Sequence, residues 1–249
     1  MKILIIGETC YDKFIYGECY RICPEAPVPV FTPKHEKVNE GMASNVYKNL
    51  EAFEKIHKRN FTFKLLTNTS YNEKIRYIDE ASNQMLLRVD KEKDYSFEEK
   101  LCFNQIKEYD AVVVSDYDKG LLSESDLENI GKTAKKSFID TKKKYNHTWA
   151  EHFDFIKINK KEAIENGFYN VPEIFNKLIL TAASDGCYFK EEHFAINNRS
   201  EVIDVCGAGD TFLSAFSYEM LFSKNIKKAI DFAQDSCQYV IGKRGVVTV

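Results

Sequence analysis

Short β-branched apolar runs alternate with helical patterns along most of the chain. Residues 2–6, 111–114 and 155–158 each have the length and composition typical of a buried strand. Strands that alternate with helices are typical of a mostly parallel, doubly wound sheet with helices on its faces. The sequence therefore predicts an α/β fold, in which ligands bind beyond the carboxyl ends of the strands.

Weaker patterns predict the remaining elements. Strands at residues 12–17 and 28–31 are expected to be exposed, because prolines at positions 27, 29 and 33 suit an edge strand or a flap. Together, strands within residues 12–33 and 74–90 are expected to form a small lid. The other predicted strands are residues 61–66, 74–78, 84–89, 138–139, 178–181, 187–189, 193–196, 202–205 and 246–249. The predicted helices are residues 42–53, 97–109, 123–136, 160–166, 208–222 and 225–241.

A glycine turn joins a predicted strand to a predicted helix near the end of the chain. The β-branched segment 202–205 leads into Gly207, Ala208 and Gly209, and helical spacing follows through residue 222. Glycines at the start of a helix leave successive N–H groups uncovered. With the helix dipole, these groups bind anions such as a phosphoryl group. The turn therefore predicts an anion site.

Asp210 places a carboxylate beside this anion site. Like charges repel, so the carboxylate is unsuited to binding phosphate, but it is well placed to accept a proton from a hydroxyl that attacks the phosphate. This arrangement favours phosphoryl transfer to an alcohol. The alternative is that Asp210 only belongs to an ordinary helix entry, where glycine and aspartate are both common.

Polar side chains follow four of the predicted strands. Asp116, Asp140, Asn159 and Thr181 each come at or just after the end of a strand. Because the carboxyl ends of parallel strands meet at one edge of a sheet, we expect these residues to lie near the glycine turn.

Composition and charge narrow the class of protein. The 249 residues suffice for one large α/β domain or two small ones, and 44% of them are hydrophobic. The formal net charge is −3 with the signs interspersed, so we expect no binding to nucleic acid or to an anionic membrane. No apolar run has the length of a bilayer span or a signal peptide, and we expect a cytoplasmic protein.

Cysteine and lysine clusters carry no strong signal of their own. The seven cysteines form no Cys-x-x-Cys pair, so we expect free thiols. The run Lys142, Lys143, Lys144 is expected to be a solvated loop rather than a polyanion site.

Several motifs together resemble one known family. The segment 204–211, DVCGAGDT, matches the helix-entry signature of the ribokinase-like carbohydrate kinases. Further matches, at residues 7–12, 16–17, 21–30, 83–90 and 115–120, resemble the heptose 7-phosphate kinases within that family. The resemblance covers residues 1–249 and implies a single kinase domain with a ribokinase-like fold. It also implies ATP and Mg²⁺ as cofactors, a sugar phosphate as substrate, and a homodimer formed through the lid sheet.

The resemblance implies roles for residues on the phosphate side of the site. Asp210 would be the catalytic base, and the amides of Gly207, Ala208 and Gly209 would hold the transferring phosphoryl group.

Metal and nucleotide contacts are implied in the same way. Asn159 and Glu162 match the family's Asn-x-x-Glu and would organise Mg²⁺ and its waters. The same two residues also fit a helix N-cap and its capping-box partner, and this alternative stays open. Asp204 would place a monovalent cation or brace the turn. The loop that meets the nucleotide would include Thr181, Ser184 and Gly186.

A separate set of residues is expected to bind the sugar phosphate. Asp12 would bind sugar hydroxyls, and Arg21, Lys74 and Arg76 are candidates for the phosphate because both guanidinium and ammonium groups pair with it. The remaining candidates are Gly41, Asn45, Asp116 and Lys119. Asp116 and Lys119 could instead form a surface ion pair.

The chain departs from the family pattern at three places. Met42 stands where a second glycine is usual, the segment between Leu66 and Lys74 is short, and Asp140 is followed by Thr141 instead of proline. These departures motivate alternative hypotheses, which are a shortened relative that binds nucleotide or sugar without catalysis and a kinase for another sugar.

Overall fold

Two β-sheets and the helices around them make up the computed structural model, which describes residues 1–93, 97, 103–197, 200–243 and 245–249. The strands are β1 (Lys2–Gly7), β2 (Thr9–Ile22), β3 (Pro29–Met42), β4 (Thr62–Leu66), β5 (Asn72–Asp79), β6 (Met85–Lys91), β7 (Ala111–Asp116), β8 (Ser137–Thr141), β9 (Phe155–Asn159), β10 (Leu178–Thr181), β11 (Cys187–Phe189) and β12 (Glu192–Phe194). The helices are α1 (Ala43–His57), α2 (Phe103–Ile106), α3 (Glu124–Thr133), α4 (His147–Ala150), α5 (Lys160–Glu165), α6 (Ala208–Ser223) and α7 (Ile226–Ile241).

The large sheet has eight strands in the order β12-β11-β10-β9-β8-β7-β1-β4. The strands from β4 to β10 pair in parallel, and only the β10-β11-β12 edge is antiparallel. The predicted doubly wound α/β fold is therefore confirmed.

Helices cover both faces of this sheet because its central strands are apolar on both sides. On β1, Ile3 and Ile5 join one core with α1, α6 and α7, whereas Leu4 and Ile6 join a second core with α3 and α4. Successive side chains of a strand point to opposite faces, so one continuous apolar run contributes to both cores.

The small sheet has the order β3-β2-β5-β6 and is called the lid. It is larger than predicted, since β2 and β3 each contain fourteen residues. In its pairing register, Asp12 lies opposite Lys74, and Lys74 lies opposite Asp90. Two residues further along β5, Arg76 lies opposite Arg88. These residues share one face of the lid, because alternate positions and directly paired positions lie on the same side.

The opposite face of the lid, called its apolar face below, carries a group of apolar side chains beside the ion pair of Lys13 with Glu73. The same register aligns Ile15 with Tyr77 and Leu87, and the next pair along that face is Ile75 with Val89. Leu87 is exposed, Ile15, Tyr77 and Val89 are half-buried, and Ile75 is buried, so this face is partly open to solvent in the single chain.

Two predicted strands are absent from the structure. Residues 202–205 form an irregular segment in which the amides of Ile203 and Asp204 donate to the carbonyl of Ile241 at the end of α7. Residues 246–249 are also irregular, and the amide of Val249 donates to the Asn49 side chain. Both segments have the β-branched composition of a strand. Their hydrogen-bond acceptors lie on helices, so no sheet ladder forms.

The predicted helix at residues 97–109 is observed in part. Among its described residues, 103–106 form α2 and residue 97 forms an isolated bridge with Asn68, while residues 98–102 lie outside the described part of the chain. In the described segments, no helix is long and apolar enough to cross a membrane. The six cysteines within those segments are free thiols.

The expected solvated lysine loop is also wrong. Lys143 is buried and forms ion pairs with Asp118 and with Asp116, 3.7 Å away, while Lys142 pairs with Glu162. The compensating carboxylates of Asp116, Asp118 and Glu162 lie close in space but outside the lysine run.

Candidate active site

A cavity of about 1050 Å³ lies between the carboxyl ends of the central strands and the start of α6. Polar residues from β8, β9 and β10 reach this cavity, as the sequence predicts for a parallel sheet. The lining residues that matter below are Asp140, Lys142, Lys157, Asn159, Thr181, Ser184, Gly186, Gly207, Ala208 and Gly209.

The start of α6 requires glycine at position 207. Gly207 has a φ of 80°, in the left-handed region, and an added Cβ would lie 2.8 Å from Nδ2 of Asn45. The amide of Ala208 donates to the carbonyl of Val205 at 3.2 Å. Within the described residues, the amides of Gly207, Gly209 and Asp210 have no protein acceptor. The uncovered amides therefore differ by one position from the predicted set, with Asp210 replacing Ala208.

Asp210 is a buried carboxylate held by two hydrogen bonds. Tyr117 donates its hydroxyl to Oδ1 at 2.9 Å, and Asn45 donates Nδ2 to Oδ2 at 3.2 Å. Burial raises the pKa of Asp210 to about 6, against the lowering effect of these hydrogen bonds. The group is therefore ionised at neutral pH and still basic enough to accept a proton.

Tyr117 belongs to a loop that a buried glutamate fixes. Glu8 accepts hydrogen bonds from the amide of Tyr117 at 2.8 Å and from the amide of Lys119 at 3.1 Å. The sequence analysis did not assign a role to Tyr117. Its place directly after the end of β7, among other polar residues, is the signal that could have found it.

Lys157 and Asp140 form a buried ion pair beside the glycine turn. Lys157 Nζ lies 2.6 Å from Asp140 Oδ2, and an added Cβ on Gly209 would lie 3.1 Å from the same ammonium. Lys157 was not predicted as a site residue, although a lysine inside the apolar run of residues 155–158 is unusual. Although burial lowers the pKa of Lys157, the carboxylates of Asp140, Asp210 and Glu162 raise it above its ordinary value.

Asn159 and Glu162 have the predicted spacing at the start of α5. Asn159 Oδ1 accepts the amide of Glu162 at 2.9 Å, so the N-cap alternative holds for Asn159. Glu162 Oε1 accepts a hydrogen bond from Lys142, and Glu162 Oε2 is buried without a partner in the described part of the chain.

These carboxylates fit a magnesium ion that keeps most of its waters. Asp140 Oδ1 and Glu162 Oε2 are both buried oxygens with no hydrogen-bond partner among the described residues. Mg²⁺ prefers such oxygen ligands and is typically held by one or two carboxylates together with substrate phosphates. No cluster of three metal-ligating side chains occurs within the described segments.

Asp204 braces the segment before the glycine turn. Its Oδ1 accepts the amide of Cys206 and its Oδ2 accepts the amide of Gly245, each at 2.9 Å. Although burial raises the pKa of Asp204, these hydrogen bonds bring it below its ordinary value. Of the two predicted roles, the geometry matches the brace.

The far wall of the cavity is the loop after β10 together with apolar side chains. Gly186 has a φ of 95°, and an added Cβ would lie 2.2 Å from the carbonyl oxygen of Phe194. Thr181 and Ser184 border the same cavity. The apolar part of the lining comes from Ala182, Ile196, Val202, Val205, Phe212 and Ile241.

The charged face of the lid lies on the other side of Asp210. Arg76 donates to Asp12 Oδ1 at 2.6 Å, and Lys74 Nζ lies 5.4 Å from the centre of the Tyr117 ring. An added Cβ on Gly41 would lie 2.3 Å from Asp12 Oδ2. With Asn45 bound to Asp210, five of the predicted sugar-binding residues therefore lie close to Asp210 or to one another.

Met42 stands where the family pattern has its second glycine, and its backbone is strained. Its φ is 61° and its ψ is −132°, a combination that side chains other than glycine rarely adopt, at a cost of about 1–3 kcal/mol. The side chain is buried rather than placed in the cleft opening.

The other three predicted substrate residues, Arg21, Lys119 and Asp116, have different surroundings. Arg21 is exposed near the end of β2, nine positions from Asp12 and so about 30 Å away at roughly 3.3 Å per residue. Lys119 pairs with Glu92 at 2.7 Å on the surface. The predicted surface pair of Lys119 with Asp116 is therefore wrong as well.

Asp116 is buried, and both of its carboxylate oxygens have partners inside the protein. Oδ1 accepts the amide of Asp118 at 3.1 Å, and Oδ2 accepts the hydroxyl of Thr141 at 2.6 Å. Burial and the neighbouring Glu8 raise the pKa of Asp116 to about 7. Asp116 therefore supports the loop that carries Tyr117, and a contact of Asp116 with the sugar stays a prediction.

Solved structures with this fold include ribokinases and a nucleoside kinase. Ribokinase from Thermotoga maritima aligns with a TM-score of 0.67 at 16% identity, covering 98% of this chain and 94% of that one. Ribokinase from Arabidopsis thaliana, solved with ribose and ATP, also aligns with a TM-score of 0.67, at 12% identity over 98% of this chain and 93% of that one. At these identities the likeness establishes the ribokinase-like fold.

Sequence relatives and a family model give the family. The bifunctional protein HldE of Nitratiruptor sp. is 34% identical over 99% of this chain, and that of Helicobacter pylori strain J99 is 30% identical over 98%. The chain spans 63% of the length of each of these relatives. The model for the pfkB family carbohydrate kinases matches residues 57–249. The chain therefore belongs to the pfkB family of carbohydrate kinases.

Proposed function

We propose that this chain is an ATP-dependent sugar-phosphate kinase that phosphorylates the anomeric hydroxyl of D-glycero-D-manno-heptose 7-phosphate. The observation that carries the proposal is the buried Asp210 carboxylate beside the uncovered amides of Gly207 and Gly209. The sugar is proposed because relatives named HldE align with almost the whole chain.

The proposed reaction uses the two sides of Asp210 separately. The acceptor hydroxyl lies on the lid side and gives its proton to Asp210 as its oxygen bonds to the γ-phosphorus. The bond from that phosphorus to the bridging oxygen breaks, and ADP leaves with the bonding electrons. The amides at the start of α6 stabilise the charge on the transferring group.

The nucleotide would occupy the large cavity. Its apolar wall suits a base, and the lysines and uncovered amides at the other end suit the phosphates. Asp140 and Glu162 would hold Mg²⁺, directly or through its waters, and the ion would supply further neutralisation of phosphate charge. In support of the nucleotide, one ribokinase with this fold was solved with ATP and another with ADP.

The sugar phosphate would bind against the charged face of the lid. Asp12 would accept hydrogen bonds from sugar hydroxyls, while Lys74 and Arg76 would pair with the phosphate of the substrate. Arg88, which is held by both carboxylate oxygens of Asp90, lies on the same face and could extend this basic surface.

A non-catalytic binder of nucleotide or sugar is the second candidate. Met42 and its strained backbone favour this candidate, because a family glycine at this position would leave the start of α1 unstrained. The intact arrangement around Asp210 favours the kinase.

Replacement of Asp210 is expected to separate binding from catalysis. Asp210→Asn should lower kcat by at least about 10²–10⁴-fold, because the amide cannot accept the proton. Calorimetry should give an ADP affinity close to that of the wild type. Asp235→Asn, on the exposed side of α7, is the control and should keep full turnover. Undiminished turnover in a folded Asp210→Asn protein would refute the role.

The pH dependence of kcat/KM should report the ionisation of Asp210. Since the raised pKa is about 6, the base is protonated below that value, and activity should fall about tenfold per pH unit there. Above pH 6 the profile should level off. Tyr117→Phe removes a hydrogen bond that lowers this pKa, so its midpoint should move to higher pH. A flat profile between pH 5 and 7 would contradict the assignment.

The substrate is tested by ADP release with Mg-ATP against sugar phosphates of seven, six and five carbons. We expect the highest kcat/KM with the heptose 7-phosphate and loss of turnover when EDTA removes the metal. No response to any heptose phosphate would reject the proposed sugar. Thermal stabilisation by ATP without ADP release on any acceptor would favour the non-catalytic binder.

We further propose that two copies of the chain pair through the apolar face of the lid. Half-buried Ile15 and Tyr77 and exposed Leu87 on this face would lose contact with water in such a dimer. Light scattering should give twice the mass of the chain for the wild type and the mass of one chain for Leu87→Asp. Ile56→Asp, on the exposed side of α1, should remain dimeric. A monomeric wild type would contradict the proposal.

A further inference from the structure

Lys157 is a charged residue within an otherwise apolar central strand. Its neighbours Ile156 and Ile158 are fully buried in the core that contains α3 and α4, so its own side chain extends to the other face of β9, towards α6. Lysines are almost never buried without a compensating partner. The position therefore calls for a reason beyond packing.

The ammonium group has donors to spare. Its hydrogen bond to Asp140 Oδ2, at 2.6 Å, uses one of its three N–H groups. No other protein acceptor lies within hydrogen-bond distance in the described segments. Lys157 also borders the large cavity, so a ligand there can reach the remaining donors.

The surroundings of Lys157 place it at the anion site. The position of an added Cβ on Gly209 lies 3.1 Å from Lys157 Nζ and 3.8 Å from Asp140 Oδ2, so the pair lies directly against the first turn of α6. The amides of Gly209 and Asp210 emerge at this same turn without protein acceptors in the described part of the chain. A fixed ammonium and uncovered amides together form a binding site for a phosphoryl group.

The pair is poorly explained as a structural ion pair. Buried ion pairs are often neutral for stability or worse than apolar residues of similar volume, because both ions lose their hydration. Asp140 Oδ1 is moreover buried without a partner in the described segments, so the pair leaves one of its own oxygens unsatisfied. A ligand that engages both partners would remove this deficit.

We propose that Lys157 is a further catalytic residue. Its ammonium donates a hydrogen bond to a non-bridging oxygen of the phosphoryl group while that group is transferred from the bridging oxygen of ATP to the hydroxyl oxygen of the sugar. Asp140 acts as the positioning residue, since it holds the ammonium at the first turn of α6. This inference rests on the proposed kinase function. The Lys157 ammonium, on β9, and the uncovered amides of α6 would then bind the same phosphoryl group.

The test compares Lys157→Met with Lys157→Arg, and it compares the double variant Asp140→Asn, Lys157→Met with Asp140→Asn alone, because Asp140 is also a proposed Mg²⁺ residue. The methionine keeps the length of the side chain and removes the charge. The double variant removes both charges. Lys157→Met alone leaves a buried carboxylate unpaired, which destabilises the folded protein. Lys136→Met is the matched control. Lys136 pairs with Asp154 at 2.9 Å, and both residues lie at the amino ends of β8 and β9, away from the site.

Loss of the ammonium should lower kcat about 10²–10³-fold, as for loss of one oxyanion donor. Lys157→Arg should recover part of that loss. Calorimetry with ADP, and with ADP plus aluminium fluoride and Mg²⁺, supplies the discriminating measurement. ADP affinity should change little in Lys157→Met relative to the wild type, and in the double variant relative to Asp140→Asn. In the same comparisons, affinity for the fluoride complex, which mimics the transferring group, should fall about 10²-fold.

Two results would overturn the proposal. One is a folded variant without the Lys157 ammonium that keeps the wild-type kcat. The other is an equal loss of affinity for ADP and for the fluoride complex, which would indicate a structural role. If the wild type turns over no sugar phosphate, the kinase proposal fails instead, and the fluoride comparison still decides whether Lys157 contacts the transferring group.

Discussion

Burial of the Asp210 carboxylate at the start of α6 is the constraint on which the rest of the site depends. A carboxylate removed from water becomes more basic, and one left without partners would simply be protonated. The hydrogen bonds from Asn45 and Tyr117 limit this effect, so the pKa is raised only to about 6. The group is charged at neutral pH and can still accept a proton.

Each of the two hydrogen-bond donors comes from a different part of the fold. Asn45 lies in the first turn of α1, directly after the long lid strand β3, while Tyr117 follows β7 in a loop held by Glu8. The Asp210 carboxylate is therefore fixed by the helix that follows the lid strand β3 and by the loop between β7 and α3. This arrangement links the position of the carboxylate to that of the lid.

Two ion pairs lie along the large cavity in a similar arrangement. Lys157 pairs with Asp140 and Lys142 pairs with Glu162, and each carboxylate keeps one buried oxygen without a partner in the described segments. The two ammonium groups suit phosphate oxygens and the two free carboxylate oxygens suit a magnesium ion. The same four side chains would thus serve the anion and its metal.

The sequence was most informative where local chemistry determines structure. The parallel sheet follows from apolar runs that supply both cores, and the turn at Gly207 follows from a backbone conformation that favours glycine. It was less informative where the answer depends on distant partners. Residues 202–205 have strand composition, but their amides bond to the end of α7.

The same reason explains the charged residues that were missed or misplaced. Asp116 resembles a ligand residue in sequence, yet Thr141 and the amide of Asp118 occupy its oxygens. Lys157 has a role only because Asp140, on the neighbouring strand, holds it beside Gly209. Pairings of this kind between strands are not visible in a single sequence.

The most direct test of the account is an NMR titration of the Asp210 side chain in protein labelled with carbon-13 at the aspartate carboxyl groups. The Asp210→Asn variant assigns the signal by its loss. We predict a titration midpoint near pH 6 for the free protein. A midpoint below about 4, the value of an aspartate in water, would contradict the account, because the carboxylate would then lack the basicity that its proposed role requires.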